Sequence, residues 1–216
     1  MRQFLVFFLL GLSIDLFSQD IRENTTIEVN GDKFTFMVLA DTVDHRCVLS
    51  IKREDKLILK DTLEDFHDYG EFVDFDGDGY IDFISKRISQ ITWAWLYKYD
   101  PDSGSYLKVK DFEQFNDPQV LDAATGYYYS YRKNGCADAA WFSDLFVLRA
   151  NQAVRIARIN SKGCLPEEEA YIEIKVYLTD GTKILETLPL ETIHSHENGK
   201  LGFIKAYWNE NIEKFK

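Results

Sequence analysis

The chain has 216 residues, with 36 acidic against 25 basic side chains and a formal net charge of −11. That balance excludes binding to nucleic acid or to an anionic membrane through bulk electrostatics and favours a basic partner. Hydrophobic residues make up 45% of the chain and prolines number 4, which is enough apolar material for one domain with a real core.

Met1-Arg2-Gln3 is a short positive start, and Phe4 to Leu12 is an unbroken apolar run too short to span a bilayer. Ser18 is a small residue suited to the position before a cut at Gln19 or Asp20. Residues 1–19 are therefore expected to be a cleaved signal peptide, with 20–216 as a single domain. No cysteine lies near the cut and no later segment is apolar for 18 residues. The expectation is a periplasmic or secreted protein with no membrane span.

Thr26 to Val29, the turn signal Asn30-Gly31-Asp32 and Lys33 to Leu39 read as a first hairpin. Arg46 to Lys52 and Lys56 to Asp61 read as a second, turning at Glu54-Asp55. Cys47 shares a strand face with Leu49 and Ile51 and reads as a buried thiol.

The run from Val73 to Phe83 carries aspartates at 74, 76, 78 and 82 with glycines at 77 and 79. That spacing is what a calcium loop needs. Ca²⁺ takes six to eight oxygens, and a loop curling round it turns alternate side chains inward. The expected ligands are Asp74, Asp76, Asp78, the Tyr80 carbonyl and Asp82. An acidic turn without an ion is the alternative, but clustered carboxylates repel one another unless a cation lies between them. Ser85 stands where an EF-hand would have a bidentate Glu, and the flanks are aromatic and β-branched, so the loop joins strands rather than helices. It resembles the D-x-D-G-D-G-x-x-D loops of FG-GAP and VCBS-type repeats, which are β-propeller elements of extracytoplasmic proteins.

Ile91 to Tyr99 is a strong strand whose Trp93, Trp95, Tyr97 and Tyr99 share one face, as a core ladder or as a sugar-stacking platform. Asp100 to Gly104 turns it back into Ser105 to Val109. Gly126 to Arg132 follows, and alternation should leave either Tyr128 or the Tyr127, Tyr129 and Tyr131 set exposed. Cys136 and Cys164 both lie in glycine-containing turns and form the better disulfide pair of the 3 cysteines. Trp141 to Arg149, Ala153 to Ile159, Ala170 to Leu178, Thr182 to Leu188 and Gly202 to Trp208 read as further strands. Asn209 to Lys216 reads as helix, as does the short 111–115 segment. His194 and His196 would share a strand face, but zinc needs a third ligand that the sequence does not announce.

Many short strands with frequent turns predict an all-β, antiparallel single domain, irregular and β-propeller-like, with a β-sandwich or barrel as alternatives. No G-x-S-x-G, H-E-x-x-H or phosphate loop is present, so no catalytic residue is assigned and the expectation is a non-enzyme.

The order of the middle of the chain carries a wider resemblance. The calcium loop precedes an apolar-aromatic strand, then Tyr97 to Tyr106, then Tyr129-Ser130-Tyr131-Arg132 and another hairpin. Over about residues 66 to 160 this resembles bacterial periplasmic proteins that include immunity proteins against secreted peptidoglycan hydrolases. They are related in fold to periplasmic inhibitors of invertebrate-type lysozyme, in which a protruding S-G-x-Y loop enters the hydrolase cleft. The resemblance implies that Ser103, Gly104 and Tyr106 are partner-binding, with hydroxyls that can reach the paired carboxylates of a lysozyme-type site. The alternative is that this is an ordinary hairpin turn, with Tyr106 opening the return strand. The functional expectation is an exported calcium-binding inhibitor or immunity protein facing a basic cell-wall hydrolase. A calcium-dependent adhesion or glycan-binding module is the alternative.

Overall fold

The computed structural model describes residues 19–29, 31–41, 46–63, 69–122 and 125–215. Residues 1–18 of the expected signal peptide and the Asn30 corner of the first turn lie outside the described residues, while Gln19, its expected last residue, opens the first strand. Three antiparallel sheets follow one another along the chain. The first is β1 (Gln19–Val29), β2 (Asp32–Asp41), β3 (Arg46–Arg53) and β4 (Lys56–Leu63), paired in chain order. The second is β5 (Tyr69–Val73), β6 (Asp82–Ile88), β7 (Thr92–Asp100) and β8 (Ser105–Lys108), again in chain order. The third holds β9 (Gln119–Asp122), β10 (Tyr127–Tyr129), β11 (Arg132–Lys133), β12 (Trp141–Arg149), β13 (Gln152–Ser161), β14 (Tyr171–Leu178) and β15 (Gly181–Pro189). Its path runs β15-β14-β13-β12-β10-β9, with β11 on β12.

The period of two along these strands decides what each sheet touches. In the first sheet Phe34, Phe36 and Val38 on β2 and Cys47, Leu49 and Ile51 on β3 are buried on one face. They pack against Phe83, Tyr97 and Tyr106 of the second sheet. The intervening residues Ile84, Ala94 and Leu96 point the other way and pack with Phe112, Phe115, Tyr128 and Phe146. The middle sheet is thus apolar on both faces and is covered on both. The third sheet repeats the device. Tyr128 and Phe146 face the middle sheet, while Leu145, Ile159 and Ile172 face the helix α1 (Gly199–Asn211). The result is sandwich-like, with no closed barrel among the described residues, and two of the three sheets are four-stranded meanders.

Two expectations change. Gly202 to Trp208 lies within α1 and not in a strand. Phe203, Ile204, Tyr207 and Trp208 form the stripe that a helix buries on one side, and Trp208 Nε1 donates to Ser143 Oγ at 2.9 Å. The tyrosine run is also buried on both faces. Tyr128 is 1% exposed, and Tyr127, Tyr129 and Tyr131 pack, partly buried, on the helix side.

Cys136 and Cys164 form a disulfide with their Cα atoms 5.6 Å apart, as expected. Closing a loop of 28 residues stabilises the fold by about 3–4 kcal/mol on the chain-entropy account. Cys47 is a buried thiol outside any disulfide.

Charge is buried in the third sheet too. Asp144 is fully buried and accepts from Arg158 Nε at 2.7 Å and Nη2 at 2.8 Å. Arg155 Nε lies 2.9 Å from the same Oδ1, an ion pair without hydrogen-bond alignment. Both guanidinium groups stack on aromatic rings, Arg158 over Phe142 at 3.9 Å and Arg155 over Phe115 at 5.2 Å. Asp144→Ala strands two cations that are each about one-fifth exposed, at 22% and 23%. The expected loss is about 2–4 kcal/mol, measurable by urea unfolding, because solvent recovers part of the full penalty for a broken buried pair. A loss below about 0.5 kcal/mol would show that the arginines are held by stacking alone.

Candidate metal centre

β5 ends at Val73 and β6 begins at its partner Asp82, so the segment 74–81 is a strand connection. Its aspartates fold it. Asp74 accepts from the N–H groups of Gly77 (2.8 Å) and Gly79 (3.1 Å), Asp76 from Asp78 N (3.4 Å) and Asp78 from Tyr80 N (2.9 Å). Each is a side chain capping the backbone a few residues on, which curls the chain. Gly79 has φ +88°, a left-handed conformation that side-chain-bearing residues disfavour.

The carboxylates of Asp74, Asp76 and Asp78 converge, with one oxygen of each lying within 4.8 Å of the others. Lys98, on β7, pairs with Asp76 and lies 3.8 Å from Asp78 Oδ2. Burial pulls the Lys98 ammonium down, but its bond to Asp76 outweighs this and holds it above the usual lysine value. Three carboxylates and one ammonium leave two uncompensated negative charges on an all-oxygen donor set. That charge and those donors fit a hard divalent cation.

Asp82 is not one of the three. It lies beneath them, fully buried, with Oδ2 accepting from Phe75 N (3.2 Å) and Oδ1 from Tyr99 N (3.0 Å). Burial pushes its carboxyl up to about 7, against the help of those N–H groups and with repulsion from Asp76. Asp82 pins the loop to β7. Phe75 pins it to the third sheet, stacked on Tyr128 at 4.9 Å and edge-on to Phe112 at 5.5 Å. The Tyr80 side chain is 45% exposed and its ring lies 5.8 Å from that of Tyr99.

The β7–β8 turn lies at the same end of the sheet as the loop. Ser103 is exposed, with Oγ donating to Asp100 Oδ2 at 2.6 Å, and Gly104 N donates to Asp100 O at 2.8 Å. Tyr106 does not project. It is 5% exposed, lies edge-on to Tyr99, and donates from its hydroxyl to Ile81 O at 2.9 Å. Its position opposite Tyr99 on the paired strand turns it into the core, so Tyr106 supports the loop and does not serve as an exposed anchor.

Three of the four aromatics of the β7 strand form a core ladder, and Trp93 lies partly buried with Arg132 over its ring at 5.6 Å. Tyr97 is fully buried with its hydroxyl on Asp61 at 2.8 Å, and Trp95 and Tyr99 pack partly buried beside it. His194 lies in a 3₁₀ turn and His196 packs its ring on Phe203, so the two do not share a strand face. Sequence reasoning missed Lys98. Alternation places it on the opposite face from Tyr97 and Tyr99, but nothing in the sequence tells which acids wait there.

No family model and no curated protein matches the chain. A solved structure described as a Xanthomonas type IV secretion system related protein is similar at a TM-score of 0.50 and 13% identity, covering 76% of this chain and 94% of that one. The likeness is one of fold. Among the described residues no helix is long and apolar enough to cross a membrane.

The Asp82 carboxyl has a folded value raised to about 7 from 3.8, so the folded state holds the proton more tightly than the unfolded chain. Metal-free protein should therefore lose stability as pH rises between those two values. Melting temperatures across that window check this, and Asp82→Asn should flatten the slope. A wild-type slope of the opposite sign would remove Asp82 as the controlling group.

Proposed function

We propose that this chain is an exported, calcium-stabilised binding protein without catalysis of its own. Its role is that of an inhibitor or immunity protein against a lysozyme-type peptidoglycan hydrolase. The observation that carries the reading is the Asp74, Asp76 and Asp78 cluster, with two negative charges left over beside Lys98. Calcium is a hard cation that takes oxygen donors, and the spacing adds Tyr80 O and Asp82 to the three, although both Asp82 oxygens accept from backbone N–H groups. The ion's work is structural: it neutralises the cluster and fixes the end of the middle sheet. The disulfide and the described neighbour's link to a secretion system are in keeping with export.

The binding edge is the turn holding Ser103 and Gly104, next to the metal loop, with Tyr106 beneath it as support. A net charge of −11 suits a basic hydrolase, since complementary charge raises the rate of encounter. The hydrolase assignment comes from the sequence resemblance across the same hairpin.

Calcium should raise the melting temperature, by an increment equivalent to about 2.7 kcal/mol at a hundredfold excess over Kd. Excess chelator should reverse the gain, and Asp76→Ala should abolish it. Equal melting temperatures with calcium and with chelator would sink the metal reading.

Inhibition is tested separately on a panel of lysozyme-type hydrolases. Ser103→Arg should weaken inhibition tenfold or more while stability stays within about 0.5 kcal/mol, the usual range for an exposed site. Tyr106→Ala should instead lower stability by about 3–5 kcal/mol, as for loss of a buried ring. Failure to inhibit any panel member would overturn the inhibitor role.

A further inference from the structure

A cavity of about 270 Å³ opens between the first two sheets, beside the metal loop. Its walls include Phe34 from β2, Tyr80 from the loop and Tyr99 from β7, three aromatic side chains. Its polar groups are Arg53 and Asp32, ion-paired with each other, with Arg53 Nη1 also donating to the Tyr99 hydroxyl at 2.9 Å. Pairing with Asp32 outweighs partial desolvation and raises the Arg53 pKa above its ordinary value, so the group stays charged. The two side chains remain 39% and 37% exposed. A guanidinium has five N–H groups and a carboxylate about four acceptor sites, so the bonds named leave donors and acceptors side by side.

We propose that this cavity binds a neutral pyranose ring of a saccharide. The chemistry selects it by exclusion and by fit. Arg53 and Asp32 offset one another's charge, so the cavity carries no net charge that would select an ionic ligand. A ring bearing hydroxyls, each both donor and acceptor, satisfies the adjacent guanidinium and carboxylate together. The C–H face of the sugar rests on the negative face of an aromatic ring. A volume just under the roughly 300–1,000 Å³ of drug-sized sites suits one sugar unit, with the rest of the chain leaving through the open side. Neither tryptophan of β7 lines this cavity: Trp95 packs, partly buried, on the core and Trp93 lies against Arg132. The proposal does not depend on hydrolase inhibition.

Isothermal titration with the N-acetylglucosamine trimer, cellotriose and maltotriose tests it on the whole exported protein. Saturable binding of at least one trisaccharide is expected. Tyr80→Ala and Arg53→Met should each weaken it tenfold or more, while both variants keep the wild-type calcium response of the melting temperature. Leu185→Ala, at an exposed position on β15, should bind as wild type. No saturable binding to any of the three sugars overturns the proposal, as does undiminished binding by Tyr80→Ala. If Tyr80→Ala abolishes hydrolase inhibition while no sugar binds, the cavity belongs to a protein partner and the saccharide assignment is wrong.

Discussion

The middle sheet has two apolar faces, and the rest of the molecule answers to that. Residues 83 and 97 point to one side and 84, 94 and 96 to the other, all nearly inaccessible to solvent. A half-solvated antiparallel sheet needs one cover; this one needs two. The first sheet supplies one and the third sheet the other, and the third then needs α1 on its outer side. Connections at the ends of the middle strands are consequently held from both directions. The metal loop is such a connection. Phe75 ties it to the third sheet, and Tyr106 and Asp82 tie it to the β7–β8 hairpin.

Within that frame the aspartates divide their work by depth. The three outer ones cap backbone N–H groups and converge one oxygen each, where solvent and Lys98 share the charge. The inner one has traded water for two N–H groups, which stabilise its charge less well than bulk solvent does. A cation above it would act on all four, through ligation of the outer carboxylates and through its field on Asp82.

Strand positions were legible in the sequence wherever alternation was strong. Phe34 to Val38, Cys47 to Ile51 and Trp141 to Arg149 lie in strands as the pattern predicts. The disulfide followed from turn context. The helix near the C-terminus was misread because Phe203, Tyr207 and Trp208 are aromatic, and aromatic residues favour strands until a sheet face offers them a helical seat. The three loop aspartates were visible from spacing alone. The role of Tyr106 was not, because S-G-x-Y describes a turn equally well whether its tyrosine points out or in. Lys98 and the Arg53–Asp32 pair reach their sites through pairing of neighbouring strands, and Arg53 meets Tyr99 through the stacking of two sheets, which no local pattern records.

The turn that carries Cys136 runs against the natural hand of the chain. Cys136, Ala137 and Asp138 have φ values of 49°, 49° and 73°, three successive left-handed residues with side chains. Each is disfavoured by about 1–2 kcal/mol. The turn persists because Cys164 holds one residue, while Lys200 and the Tyr131 hydroxyl hold Asp138. The corner is therefore wound by its tethers and not by its own backbone preference. Reduction of the disulfide would release Cys136 and leave Asp138 alone to hold that hand, through Lys200 and Tyr131. The local chirality at this corner thus answers in part to the redox state of one bond.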